Sequence, residues 1–196
     1  MLCREGTRLS VGSSVFTEGC NKGENRPSDG SLHIYAHIDS DHARDLDTRR
    51  SVTACAIFGN GTLLSWKSKM QPTVAKSSVE AEYMALCFGT CEILGLNMTV
   101  TKLGYAKQKP ISAYEDNQSV IFFSRNNTDN AKTKHIDVIY HFVREQLVAG
   151  LITILKIPTK SNTADILTKP LSAEAHWRHM SSLLVNIYPE GEGREH

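Results

Sequence analysis

The hydrophobic period of this chain first changes near Ser77. Before it, Leu32, Ile34, Ala36 and Ile38 alternate with His33, Tyr35, His37 and Asp39, the two-residue period of a strand with one buried face. After it, Ala81, Ala85 and Phe88 run beside Met84, Cys87, Cys91 and Leu94, the broad apolar stripe of a helix lying on a sheet. Ser77 with Glu80 three residues on is a capping-box start for that helix. A chain that builds strands and then a long amphipathic helix must lay one on the other, because neither buries its apolar face alone.

The remaining segments fill in the order. A polar loop from Asp41 to Arg50 leads to a second apolar run, Val52 to Phe58; Gly59-Asn60-Gly61 signals a turn, and Thr62 to Ser68 reads as a returning strand. These three strands form an antiparallel meander. Pro110 to Glu115 and Leu151 to Ile157 read as further strands, Asn117 to Arg125 and His135 to Ala149 as helices, and short helices carry Asp165 and Trp177. The expected class is α/β: a mixed five-stranded sheet, three antiparallel strands and then two more, flanked by helices. Residues 1–30 lack any sustained period and read as a disordered or truncated segment; 31–185 read as the domain and 186–196 as a flexible tail.

Composition narrows the partners little. Lys and Arg total 22 against 21 Asp and Glu, so attraction for nucleic acid must come from a local patch. The five cysteines are odd in number with no C-x-x-C spacing, which points to reduced thiols; Cys87 and Cys91 share a helical face and read as core. No apolar stretch approaches the ~18 residues of a membrane span, and no signal-like segment opens the chain. The expectation is an intracellular protein, neither secreted nor membrane-bound.

Four acidic residues stand where elements end or begin. Asp39 is near the end of the first strand, Glu82 in the first turns of the long helix, Asp116 after the fourth strand, and Asp165 at a late helix. An acid at an element end is more often a cap or a solvated group. Brought together, however, carboxylates repel by roughly 4 kcal/mol per pair at ~4 Å and an effective dielectric of about 20. A cation makes such a cluster tolerable, and hard oxygen ligands favour Mg²⁺, with Mn²⁺ as substitute, over zinc. Two such ions can promote phosphodiester hydrolysis.

Five blocks give these positions a context. His37-Ile-Asp-Ser-Asp-His-Ala-Arg-Asp-Leu-Asp-Thr-Arg-Arg-Ser51 is followed by the long block from Leu64 to Leu86, which contains Val-Glu-Ala-Glu-Tyr-Met-Ala. Then come Tyr114-Glu-Asp-Asn-Gln-Ser119, Lys132 to Gln146, and Ile157 to Leu171 with its Ala-Asp-Ile-Leu-Thr-Lys-Pro. In this order they resemble the ribonuclease H domain of copia-type retrotransposon Pol polyproteins, over nearly all of residues 32–171. The resemblance implies a ribonuclease H-like fold with catalytic, metal-binding carboxylates at Asp39, Glu82, Asp116 and Asp165. It implies an endonuclease that hydrolyses the RNA strand of RNA–DNA hybrids beside a reverse transcriptase portion of the same polyprotein. The alternative is an inactive remnant that at most binds nucleic acid.

The departures are local. His42 stands where the family has an aromatic, Arg44 and Ala54 where it has Gly, and His37 where Tyr is usual. The loop Thr159 to Thr163 lacks the His of cellular enzymes, so protonation of the leaving group falls to water held by the metal. Glu80 is read as a cap, and Glu115 as pointing away from Asp116's companions by strand alternation. Nucleic-acid contacts are expected from Asn117 and Gln118 beside Asp116, and from Lys67, Lys134 and His135. His135 and His141 are too far apart on a helix to form a metal pair. Trp66 reads as core.

Overall fold

The computed structural model describes residues 32–105, 108–126 and 134–184, the last of these from residue 138 where side chains are concerned. The terminal segments expected to be disordered or flexible lie outside the described residues. A five-stranded sheet has the order β3-β2-β1-β4-β5. β1 (Ile34–Asp41), β2 (Val52–Gly59) and β3 (Thr62–Met70) form the expected antiparallel meander. Asn60 and Gly61 both take left-handed φ, 50° and 80°, which suits the two-residue hairpin between β2 and β3.

From the β3 edge the chain enters α1 (Ser78–Lys102), which lies across β2 and β1 and delivers β4 (Ile111–Glu115) parallel to β1. α2 (Gln118–Arg125) and α3 (Lys134–Val148) then lead to β5 (Ile152–Lys156), parallel to β4. α4 (Asp165–Thr168) and α5 (Ala173–Leu183) close the described chain. At the start of α1 the Ser77 side chain accepts from Glu80 N–H at 3.1 Å. The returning bond of the capping box is displaced by one residue, with Glu80 Oε2 accepting from Lys76 N–H at 2.9 Å.

Strand alternation divides two cores. Ile34, Ala36 and Ile38 of β1, Cys55 and Ile57 of β2, and Ile111 and Ala113 of β4 face α1 in the main core. On the other face, Ala56 and Phe58 pack with Leu183 of α5 and with Tyr35, Ile166 and Leu167. There Tyr35 stacks on Phe58, with centroids 5.0 Å apart, and His37 Nδ1 bonds Thr163 Oγ1 at 2.8 Å. Burial, reinforced by nearby His179, holds the His37 imidazole down at about 4, so it is neutral.

Three readings of the sequence are corrected. Trp66 is not core: it is 48% exposed on the edge strand β3, where one flank has no neighbouring strand to cover it. Cys91 is exposed although Cys87 packs against the core, because the helical stripe is narrower than its apolar residues allow. By length and composition α1 also meets the test for a membrane span, contrary to the sequence reading. Its fully buried Ala81, Ala85 and Ile93 instead lie in the core under the sheet.

The row Ala81, Ala85, Gly89 brings the α1 backbone close to β1. A Cβ at Gly89 would stand 2.6 Å from Ile38 Cγ1, and Ile38 is completely buried. Gly89→Ala should therefore lose roughly 1–3 kcal/mol to overpacking, against about 1 kcal/mol gained in helix propensity. Combining it with Ile38→Val should recover part of that loss, measured as non-additivity of the two single changes in denaturant unfolding.

Candidate active site

β1 and β4 are parallel neighbours, and both reach their carboxyl ends on the same edge of the sheet. Parallel strands of this kind carry functional groups beyond their carboxyl ends. Asp39 lies near the end of β1, Asp116 directly follows β4, and Glu82 is in the second turn of α1. One carboxylate oxygen from each of these three falls within 4.8 Å of the other two. Asp39 and Glu82 are almost sealed from solvent, while Asp116 is half-buried.

Asp165 approaches the same place from the opposite face of the sheet but is not one of the three. Lys169 stands between, its Nζ 3.0 Å from Asp165 Oδ1 and 3.6 Å from Asp39 Oδ2. The Thr168 hydroxyl donates a short hydrogen bond to Asp39 Oδ2 and thereby sets the orientation of that carboxylate. Asn162, also buried, ties the segment before α4 to the strand: its Nδ2 donates to the Ile38 carbonyl at 2.8 Å, and its Oδ1 accepts from Ala164 N–H at 3.2 Å.

Glu115 corrects the strand argument. It is completely buried, on the same face of β4 as Ile111 and Ala113, and this is the face that looks toward α1 and Glu82. Alternation holds as far as Glu115, but Asp116 lies beyond the strand's last residue, where alternation no longer governs it. Glu115 Oε1 accepts from Asn117 N–H at 3.0 Å, so it fixes the turn that presents Asp116.

The electrostatics follow from this crowding. Burial first, and then Glu115, Asp39 and Asp116, push the Glu82 carboxyl up to about 10. Burial raises Asp39 to about 7 against the pull of Lys169 and Thr168. Glu115 is likewise raised, chiefly by burial. Glu82 Oε2 is buried with no hydrogen-bond partner among the described residues. An unpartnered, buried, hard oxygen donor beside two others fits a divalent cation such as Mg²⁺.

The expected nucleic-acid residues fall in three places. Asn117 caps α2, its Oδ1 accepting from Ser119 and Val120 N–H, and Gln118 is exposed next to it. Lys67, on β3, is paired with Glu92 Oε2 at 2.6 Å. Lys134 and His135 begin α3, and their side chains lie outside the described part of the structure. Sequence reasoning assigns no role to Lys169, Thr168 or Asn162, although all three stand in the block that supplies Asp165.

Comparison with known proteins adds ancestry to this geometry. A retrovirus-related Pol polyprotein from transposon TNT 1-94 of Nicotiana tabacum is 42% identical over 136 residues, 69% of this chain. That from transposon RE1 of Arabidopsis thaliana is 32% identical over 159 residues, 81% of this chain. The chain is homologous to one segment of transposon Pol polyproteins. It spans 10% and 11% of the length of these two relatives. No protein-family model matches. Among solved structures, LC11-RNase H1 in complex with an RNA/DNA hybrid aligns with a TM-score of 0.53, covering 69% of this chain and 93% of that one. At 16% identity this likeness shows the fold, which is ribonuclease H-like. The expected fold class and the resemblance to a Pol-type ribonuclease H segment are therefore correct.

The raised carboxyls should make the stability of the Pol-type segment depend on pH, and on any divalent ion that binds them. Asp39 and Glu82 bind protons more tightly in the metal-free fold than in the unfolded chain. Their contribution is thus complete below the unfolded carboxyl values and is lost as pH rises through about 7 and on toward about 10. Divalent ions need the deprotonated groups and should reverse that loss. The rise in melting temperature on adding excess MgCl₂ should be larger near pH 8 than near pH 5.5, read by scanning fluorimetry. Comparing each pH with and without metal cancels the opposite contribution of His37.

Proposed function

We propose that this chain is a ribonuclease H-type hydrolase, a divalent-metal-dependent endonuclease that cuts the RNA strand of RNA–DNA hybrids. The observation that carries the reading is the convergence of Asp39, Glu82 and Asp116, from three separate elements, within 4.8 Å. Homology to transposon Pol polyproteins supports a place beside a reverse transcriptase of the same polyprotein. The solved neighbour whose name records an RNA/DNA hybrid supports the substrate class.

Asp39, Glu82 and Asp116 would hold the metal, with Asp165 as a fourth group. A bound pair of Mg²⁺ ions would supply Lewis-acid stabilisation of phosphate charge and a nucleophile at neutral pH. The chain's own part is preorganisation. Thr168 fixes the Asp39 carboxylate, and Glu115 fixes the turn carrying Asp116. Because the sheet and α1 already hold the carboxylates together, little reorganisation is left for the reacting complex.

Substrate contacts are proposed on the rim. With Oδ1 of Asn117 committed to the α2 cap, donation toward a 2′-hydroxyl falls to its Nδ2, and the exposed Gln118 amide lies beside it. Lys67 is engaged with Glu92, but an exposed ion pair is worth only about 0–1 kcal/mol, so a phosphate can replace the glutamate. Lys134 and His135 would extend the phosphate contacts.

With a labelled hybrid and Mg²⁺, the full chain should cut RNA only in the hybrid, leaving single-stranded RNA and duplex DNA intact. Asp39→Asn, Glu82→Gln and Asp116→Asn should each reduce cutting to background while keeping the metal-free melting temperature, since each puts a neutral side chain of the same size in the cluster and adds no repulsion. Asp165→Asn should be milder. Hybrid binding by the unaltered chain without any cutting would instead identify an inactive remnant.

Gln118→Ala tests the rim. It should weaken hybrid affinity roughly two- to tenfold, the worth of one hydrogen bond, with no change in thermal stability because the side chain is exposed. Asn117→Ala should weaken binding and also cost about 1 kcal/mol of stability through the lost cap.

A further inference from the structure

The acidic site is electrostatically lopsided. On the α1 side, Glu82 stands with Asp39 and Asp116, their oxygens within 4.8 Å, and its Oε2 has no hydrogen-bond partner among the described residues. On the α4 side, Asp39 and Asp165 share the Lys169 ammonium at 3.6 and 3.0 Å. The lysine is well placed to stay there. Its backbone N–H bonds the Asp165 carbonyl at the end of α4, and Pro170 follows at once. The side chain is 31% exposed, whereas the carboxylates it joins are 1% and 8% exposed, so it can swing outward while they cannot.

We propose that Lys169 is a tethered counter-cation of the Asp39–Asp165 pair, one that a divalent ion must displace before Asp165 can serve as a ligand. This rests on reading the carboxylate cluster as a metal centre. Two consequences follow from charge alone. The side with Glu82 and Asp116, where no side-chain ion pair is recorded among the described residues, takes up the first ion without displacing Lys169. Any ion that needs Asp165 meets a resident positive charge and binds more weakly, in a manner set by one residue. Lys169 thus acts as a positioning residue that keeps the metal-free site assembled and grades its two halves.

The test is Mn²⁺ titration by calorimetry of the full chain without nucleic acid, on the unaltered protein, Lys169→Met and Lys169→Arg. Methionine keeps most of the length and apolar stem but carries no charge. The unaltered chain should bind one ion well and a second more weakly. Lys169→Met should tighten the second by about tenfold or more, and Lys169→Arg should return it toward the original value. In the same series, the metal-free melting temperature should fall in Lys169→Met, because Asp39 and Asp165 then repel unscreened, and excess Mn²⁺ should restore it.

Unchanged binding in Lys169→Met, or loss of the second ion in that variant, overturns the proposal. The nuclease reading fails separately. If Lys169→Met shifts the Mn²⁺ constants as expected and the unaltered chain never cuts a hybrid, the lysine's role stands and the activity does not. If the chain cuts hybrids but Mn²⁺ binding is indifferent to Lys169, the activity stands and the lysine's role falls. Absence of any Mn²⁺ binding by the unaltered chain overturns both.

Discussion

Mutual repulsion among buried carboxylates governs this molecule. Asp39, Glu82 and Asp116 lie close enough that, as full anions, each pair would cost on the order of 4 kcal/mol at an effective dielectric of about 20. A flexible scaffold would relax by moving them apart. Here they cannot separate without breaking the sheet. Asp39 is fixed by the pairing of β1 with β2 and β4, and Asp116 by the turn that Glu115 and Asn117 stabilise. Glu82 is fixed by the close approach of Ala81, Ala85 and Gly89 to β1. Burial first, and crowding with it, therefore raises the proton affinity of Asp39 and Glu82, and a divalent cation could take the protons' place.

The two faces of the sheet make different contributions. The α1 face supplies acid upon acid, with Glu115 completely buried behind Glu82. The opposite face supplies the groups that restrain Asp39: the Thr168 hydroxyl, the Lys169 ammonium and, through the Ile38 carbonyl, the Asn162 amide. Since β1 runs between these faces, its last residues bring groups from the α1 side and the α4 side together at Asp39.

Much of the fold is legible in the sequence because it rests on local pattern. Alternation along β1, the Asn60-Gly61 turn and the Ser77–Glu80 cap are properties of a few adjacent residues, and each appears in the structure, the cap with its returning bond moved to Lys76 N–H. The departures come from environment. Trp66 has the composition of a core residue but sits on an edge strand, and Cys91 lies just outside the stripe that the sheet covers. Alternation misjudges Glu115 relative to Asp116 because the strand ends between them.

The sequence by itself determined which segments are strands and helices, their order along the chain, and a family of motifs that singled out four acids. It could do so because period, capping and turn chemistry act over a handful of bonds. Only the tertiary structure decided that three of those acids form one cluster while the fourth is held at one remove by Lys169. Residues 39, 82, 116 and 165 are linked by no local rule; their separation in space is set by strand order, helix crossing and the burial that turns neighbouring charges into a single coupled site.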